Sequence, residues 1–377
     1  MSGRKIIAVF LCMLCAAILY LSAQDSRTAV PNTDGARPDN VPQLVAATQA
    51  PKSPSTNKSS MITQNNAAEK VDIFECIPEL SFDEEARNKQ IDQYLQSLGE
   101  HQSTDSSLYY ALFSPVPSGG SRINLLFEHY EQQSDNPIYS LALSSSCVNA
   151  NDARFTSALI SETIDTDRNN GAIWLNAIAF YAAKRNDPAV IGSIDALATS
   201  DFFNERFGEG AFLYAQALQA SEFNDFNVNA LQGVTISAQN TPPFSPITQW
   251  CKQGLAVQEK AQACQLLGEE LESRGKTLIT QLIGISLQQM VFESQENTQD
   301  TARLENTRHK LMTGNRPSPK ASIMMMLDER LLRSWLDNVD FYGEVESQRL
   351  LTEEAELIYE QNENQLCTLI YDVLGVF

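Results

Sequence analysis

Histidine is scarce in this sequence, with three residues in 377. His101, His129 and His309 lie far apart, and none stands in the His-Glu-x-x-His spacing of zinc proteases. The glycine loops of nucleotide-binding proteins and the Gly-x-Ser-x-Gly elbow of the α/β-hydrolases are also missing. We therefore expect no cofactor, no metal ion and no catalytic residues of these known kinds.

Basic residues are also few. The chain has 27 Lys and Arg against 47 Asp and Glu, which gives a net charge of -20. Nucleic-acid binding depends on basic side chains that displace the counterions of the phosphate backbone. Binding to anionic lipid head groups also depends on basic side chains. The composition thus argues against a nucleic-acid partner and against direct adhesion to such lipids. Basic proteins or peptides remain candidate partners, although acidity also serves simply to keep a domain soluble.

Aromatic residues are absent from residues 24–70, which are rich in Ser, Thr, Asn, Gln and Pro. Such a segment cannot bury enough apolar surface to offset the loss of chain entropy on folding. We expect a disordered linker there. A random-coil estimate gives it a reach of about 40 Å.

Charged residues are missing from residues 6–21, directly after Arg4 and Lys5. A basic end followed by an apolar run is typical of an export signal. One interpretation is a cleaved signal peptide, and the other is an uncleaved anchor of about 17–25 residues. We favour the anchor in residues 1–23, which would leave the rest of the protein tethered to the inner membrane and facing the periplasm. The alternative is secretion to the periplasm after cleavage.

Alternating apolar and polar residues, the pattern of β-strands, are rare beyond residue 71, whereas apolar residues recur every three or four positions. The sequence therefore predicts an all-α fold, with a helical-repeat region in residues 71–240 and a C-terminal helical region, residues 241–377, packed on it. One apolar stripe runs from Met324 through Leu331 to Val339, which predicts a single helix with Met324 in its core face.

A faint repeat appears in the middle of the sequence, at an offset of 35 residues. Asn151-Asp152 matches Asn186-Asp187, and Tyr139 matches Trp174. Each unit reads as helix, short polar turn, helix. A period near 34 residues is typical of helical arrays, in which each unit buries a face by stacking on its neighbours.

In the second unit, Trp174, Ala177 and Tyr181 precede a turn at Asn186-Asp187-Pro188. With this pattern the unit resembles a degenerate tetratricopeptide repeat. The resemblance implies an α-solenoid of antiparallel helix pairs with a concave groove for a protein or peptide. The candidates for lining the groove are Tyr139, Trp174 and Tyr181, although for all three we favour core positions wedged between helices. Two further segments, 264–268 and 275–279, resemble uncharacterised helical envelope proteins of proteobacteria.

Cysteine is sparse, and no Cys-x-x-Cys pair occurs after the leader. This argues against zinc ribbons and thioredoxin-like redox sites. Five cysteines follow the leader, which predicts two disulfides and one free thiol in an oxidising compartment. Cys76 with Cys147 is one expected pair, leaving Cys367 unpaired.

The other expected pair is Cys251 with Cys264. One helix is predicted from Ser245-Pro246 to about residue 255, and a second from about 258 to 273. If the two form an antiparallel hairpin that turns near Val257, the two cysteines are equidistant from the turn and face each other. A disulfide is sterically reachable in that arrangement.

Together these features predict a noncatalytic, membrane-tethered binding or scaffold module in the cell envelope. The alternative is a cell-envelope hydrolase whose acidic residues come from separate helices. A deep cleft with two carboxylates about 5–9 Å apart would favour glycosidase chemistry. A broad apolar groove would favour binding.

Overall fold

The computed structural model describes residues 84–362, apart from residues 102, 117–119, 240 and 315–317. All of these lie in one compact unit of the chain. The predicted anchor, the predicted linker, Cys76 and Cys367 fall outside the described residues. The described part is all-helical, with an isolated bridge between Asn170 and Phe202 in place of any strand. None of its helices combines the length and the apolar character needed to cross a lipid bilayer.

Seventeen α-helices are described, together with a 3₁₀ turn at Leu98–Glu100. In chain order they are α1 (Glu84–Ser97), α2 (Thr104–Phe113), α3 (Arg122–Glu128), α4 (Tyr130–Gln133), α5 (Pro137–Ala150), α6 (Ser157–Asp165), α7 (Gly171–Ala183), α8 (Asp187–Ala198), α9 (Phe207–Leu218), α10 (Phe226–Gln239), α11 (Phe244–Gly254), α12 (Gln258–Arg274), α13 (Leu278–Ser294), α14 (Thr298–Gly314), α15 (Pro319–Leu327), α16 (Glu329–Tyr342) and α17 (Glu344–Asn362).

Four helix pairs stack into an array: α5–α6, α7–α8, α11–α12 and α13–α14. The first helices of the pairs pack in that order, α5 on α7, α7 on α11 and α11 on α13, while α8 packs on α12. The stacked helix pairs that the sequence predicted are therefore present. Their order is not sequential, because α11–α12 rather than α9–α10 follows α7–α8.

The α9–α10 hairpin leaves the array and joins a second group of helices, here called the bundle. In the bundle α9 packs against α1, α2 and α16, while α10 packs against α15 and α16, and α17 covers α15 and α16. The array and the bundle each combine helices from both sides of the predicted boundary at residue 240.

The predicted repeat units correspond to α5–α6 and α7–α8, but their Asn-Asp pairs have different roles. Asn151 ends α5 in the left-handed conformation, with φ 50°. Asn186 begins α8, where its side chain accepts a hydrogen bond from the N–H of Ala189. An asparagine suits both places, since it tolerates the left-handed region and caps helix N-termini.

The apolar stripe after Met324 is divided between two helices, α15 and α16. The prediction of a single helix there is therefore wrong. The side chain of Asp328 accepts hydrogen bonds from the N–H groups of Arg330 and Leu331, at 2.8 and 3.3 Å, and thereby starts α16. A capping aspartate interrupts a helix without interrupting the apolar period. The core position predicted for Met324 is confirmed, since its side chain is buried.

The predicted hairpin is confirmed by α11 and α12, whose bounds differ from the predicted ones by only a residue or two. Cys251 and Cys264 form a disulfide across it, with Cα atoms 5.7 Å apart. Of the other predicted pair, Cys147 is a buried free thiol, whereas Cys76 lies outside the described residues. Cys147 lies in the apolar core of the array, 1% exposed.

Candidate binding groove on helix α7

A groove of about 300 Å³ lies along α7. Both α6 and α8 pack against α7, but they make at most marginal contact with each other, so a strip of α7 stays open between them. The groove is lined by Ile160, Ser161, Ile164, Arg168, Trp174, Tyr181, Ala189, Gly192 and Ser193.

The floor of the groove is formed by Trp174 and Tyr181, seven residues apart on one face of α7. They are the only half-buried residues between Gly171 and Ala182; the others are fully buried. A spacing of seven residues is close to two helical turns, which places both rings on the same side. Two of the three groove candidates, Trp174 and Tyr181, therefore line this groove, although the sequence favoured core positions for them.

The ring of Trp174 is held in place by the loop before α7. Its Nε1–H donates to the carbonyl oxygen of Arg168 at 3.1 Å. That loop is fixed in turn by Asn170, whose side chain donates to Asp167 and to the carbonyl of Asn204, at 2.8 and 2.7 Å. The one donor of the indole is therefore already used, and the ring can offer a ligand only apolar surface.

Tyr181 differs from Trp174 because its hydroxyl has no hydrogen-bond partner within the described residues. Its ring packs edge-on against Phe180, with centroids 5.3 Å apart. A phenol can both donate and accept. The floor of the groove thus combines the apolar surface of two aromatic rings with one hydroxyl, that of Tyr181, which is available for a hydrogen bond.

The wall formed by α8 consists of small residues. Ala189, Gly192 and Ser193 face the groove, and the Ser193 hydroxyl is satisfied by the carbonyl of Ala189 at 2.7 Å. A Cβ atom built on Gly192 would meet no other atom within 4 Å. The space in front of this wall is therefore open at Gly192.

Among the residues that line the groove, only Arg168 is charged. Arg168 forms an exposed ion pair with Asp165 on α6. A second exposed carboxylate, Asp195, follows Gly192 by three residues on α8. The two wall helices thus each carry an exposed acid.

Tyr139, the third candidate, is not in this groove and has the core position that the sequence favoured. It is fully buried and donates a hydrogen bond from its hydroxyl to the carbonyl of Leu126 on α3. Helix α3 packs on α5 beside Tyr139. In the next unit, the corresponding strip of α7 is the one that stays open as the groove. Tyr139 is a core residue that joins two helices.

The fold also brings together a serine and a histidine that the sequence did not connect. The Ser107 hydroxyl on α2 lies 2.9 Å from Nδ1 of His129, which follows α3. A serine nucleophile needs a base at this distance, a group that orients the base and access for the substrate. Here the serine is only 5% exposed, and Tyr110 packs edge-on against the imidazole. The contact joins α2 to the end of α3.

Carboxylates from separate helices do converge, at the junction between the array and the bundle. Glu205, Asp340 and Glu344 all accept hydrogen bonds there from backbone N–H groups at the starts of helices. Within the described part, no group of three or more His, Cys, Asp and Glu side chains is arranged to hold a metal ion.

Comparison with known proteins returned no match: no family model, no curated protein and no solved structure is similar to this chain.

Proposed function

We propose that the protein is a noncatalytic scaffold of the cell envelope whose groove on α7 binds a short peptide segment of a partner protein. The observation that carries the proposal is the pair Trp174 and Tyr181, half-exposed in a gap between α6 and α8. Large aromatic rings supply most of the binding energy at protein interfaces when they line a cleft.

The size of the groove limits its occupant. The α6 wall has nine residues and is therefore about 13 Å long, the length of about four residues of extended chain. A volume of about 300 Å³ is at the lower end of ligand pockets and holds one or two large side chains. We propose a short segment with an apolar anchor rather than a long helix.

Charged residues near the groove indicate which residues flank the apolar anchor in the proposed peptide. Asp165 and Asp195 stand on the two wall helices, and the whole chain carries a net charge of -20. Asp165 is already paired with Arg168, so basic residues beside the apolar anchor would complement Asp195 and the overall acidity of the chain, which would speed the encounter of the partners. The proposed partner is therefore a protein with an exposed, basic and apolar segment.

The proposed location depends on the N-terminal sequence. An apolar run behind Arg4 and Lys5 supports export, and the disulfide between Cys251 and Cys264 supports an oxidising compartment such as the periplasm. We propose a protein anchored in the inner membrane, with the array facing outward on a linker. The stacked helix pairs, together with Trp174, Ala177 and Tyr181, support a distant relationship to tetratricopeptide-like arrays.

Peptide display on the full-length protein tests this proposal. Selection on the native chain should enrich short basic and apolar sequences that do not bind Gly192→Leu, whose side chain would fill the groove. Ala302→Leu is the matched control, because it adds the same side chain at an exposed position on α14. Peptides that bind all three proteins equally, or no enrichment at all, would overturn the proposal.

A further inference from the structure

The loop that fixes Trp174 is itself fixed from outside the groove. This loop, residues 166–170 and here called the Trp174 loop, joins α6 to α7, and its Arg168 carbonyl accepts from the indole Nε1–H at 3.1 Å. Two other residues of the loop, Asp167 and Asn170, make its contacts with the rest of the protein. The orientation of the indole therefore depends on what these two residues bind.

Asp167 accepts three hydrogen bonds on one carboxylate oxygen. Its Oδ2 accepts from Nε and Nη2 of Arg206, at 3.1 and 2.8 Å, and from Nδ2 of Asn170 at 2.8 Å. The side chains of Asp167 and Arg206 are only 11% and 17% exposed. Removing one partner of so shielded an ion pair leaves an uncompensated charge, whereas the loss of a surface pair costs little.

Arg206 belongs to the bundle side of this contact. It directly precedes α9, which packs against α1, α2 and α16, and its Nη1 also donates to Glu209 on α9 at 2.6 Å. Asn204 makes a second link, since its N–H donates to Oδ1 of Asn170 at 2.8 Å and its carbonyl accepts from Nδ2 of Asn170 at 2.7 Å. The Trp174 loop is thus bound to the segment that leads into the bundle.

The backbone of Arg206 is left-handed, with φ 55° and ψ 33°. Most residues other than glycine are disfavoured in this region, because their Cβ comes too close to the following carbonyl oxygen. Such a residue persists there only where its surroundings compensate for the strain. Glycine would suit this backbone better than arginine, so what the arginine contributes is the set of contacts that its side chain makes.

We infer that Arg206 and Asp167 are positioning residues of the groove. Their ion pair ties the Trp174 loop to the start of α9, and through this loop it fixes the orientation of one of the two rings of the floor. The bundle thereby controls whether the groove is preorganised for its peptide, and a displacement of α9 lowers the affinity of the groove. Only the effect on affinity rests on the proposed function, because the contacts with the loop need no ligand.

Hydrogen exchange at the indole of Trp174 tests the effect of Arg206 on the loop without any peptide. The Nε1–H signal is followed by NMR in the full-length protein. In Arg206→Gly, its exchange should become about two- to tenfold faster, as expected for the loss of one hydrogen bond. The backbone amides of α14, in the last helix pair of the array, should keep their native exchange rates.

Arg185→Gly is the matched control. Arg185 follows α7, at the opposite end from the Trp174 loop, and it also has a φ of 55°. Its side chain is exposed and forms no hydrogen bond or ion pair within the described part of the chain. The same substitution is therefore made at the same kind of backbone position without the loss of a contact, and the exchange at Trp174 should stay native.

Asp167→Ala decides the matter if Arg206→Gly does not fold. It removes the acceptor that Arg206 and Asn170 share, so exchange at the Trp174 indole should again become faster. Asp165→Ala is its control, because it removes only the acid of an exposed pair. Native exchange at Trp174 in Arg206→Gly or Asp167→Ala, or an equal increase at the amides of α14, would overturn the inference.

The effect on binding is measured separately. A peptide selected on the native protein should bind Arg206→Gly about two- to tenfold more weakly, because the indole must then be ordered on binding. Arg185→Gly should bind it with native affinity. Native affinity in Arg206→Gly, despite faster exchange at Trp174, would show that Arg206 does not position the groove. Failure to select any peptide would count against the proposed function alone, since the exchange rates still decide whether Arg206 fixes the loop.

Discussion

Gly268 on α12 and Gly284 on α13 meet where these two helices cross. A Cβ atom built on Gly268 would lie 2.8 Å from the carbonyl oxygen of Gly284, and one built on Gly284 would lie 2.7 Å from the carbonyl oxygen of Gly268. Both distances are too short for any side chain. The backbones of α12 and α13 therefore touch at this point, and the crossing holds the C-terminal half of the array together.

Alanine at either of these glycines should lower the free energy of unfolding by about 1–3 kcal/mol, because the helices must separate to admit a methyl group. Gly192→Ala is the matched control. It lies in a helix with open space around its Cβ, so it should raise the free energy of unfolding by about 0.5–1 kcal/mol. Urea unfolding of the three variants checks both the decrease expected at Gly268 and Gly284 and the increase expected at Gly192. Equal changes in the free energy of unfolding at all three positions would contradict a backbone contact between α12 and α13.

The disulfide between Cys251 and Cys264 closes a loop with a sequence separation of 13 residues. Replacing both with Ser should lower the free energy of unfolding by about 3 kcal/mol, since the cross-link restricts the unfolded chain. Dithiothreitol should destabilise the native protein by a similar amount and leave the double variant unchanged. A reductant effect of the same size on both proteins would mean that another bond is responsible.

Cys147 should be chemically inert in the folded protein. Its thiol is 1% exposed, and burial raises its pKa to about 12, with a smaller increase from Asp152. The thiolate is the reactive form of cysteine, so iodoacetamide at pH 8 should modify Cys147 only after denaturation. Mass spectrometry of peptides covering α5 follows the reaction. Rapid alkylation in native buffer would show that α5 opens far more readily than its packing indicates.

The contact between Ser107 and His129 should matter for stability and not for catalysis. Ser107→Ala should lower the free energy of unfolding by about 1 kcal/mol, the typical value of one hydrogen bond. A fluorophosphonate probe, which labels activated serines, should leave the native protein unmodified. Labelling that disappears in Ser107→Ala would instead support the hydrolase hypothesis.

Local features of this fold could be predicted from the sequence, and long-range features could not. The α11–α12 hairpin follows from Ser245-Pro246 and the helical period, which also placed Cys251 opposite Cys264. These inferences need only the geometry of a single helix or of one hairpin.

The features that the sequence could not decide have a common physical cause. Tyr139 occupies the same place in its repeat as Trp174, but α3 covers it, and a repeat pattern does not specify which helix will pack on each unit. Asp340 lies 132 residues from Gly208, and no spacing rule connects an acid to a helix start so far away. The break at Asp328 was missed because a capping residue leaves the apolar period intact.

Trp174 allows the central claim, that the groove on α7 is a binding site, to be measured directly. The other two tryptophans, Trp250 and Trp335, are 5% and 6% exposed, so quenching of fluorescence by acrylamide should report mainly on Trp174. A peptide selected on the native protein should reduce the quenching, and it should have no effect on Trp174→Phe or Gly192→Leu. If the bound peptide leaves the quenching of Trp174 unchanged, the groove is not where it binds.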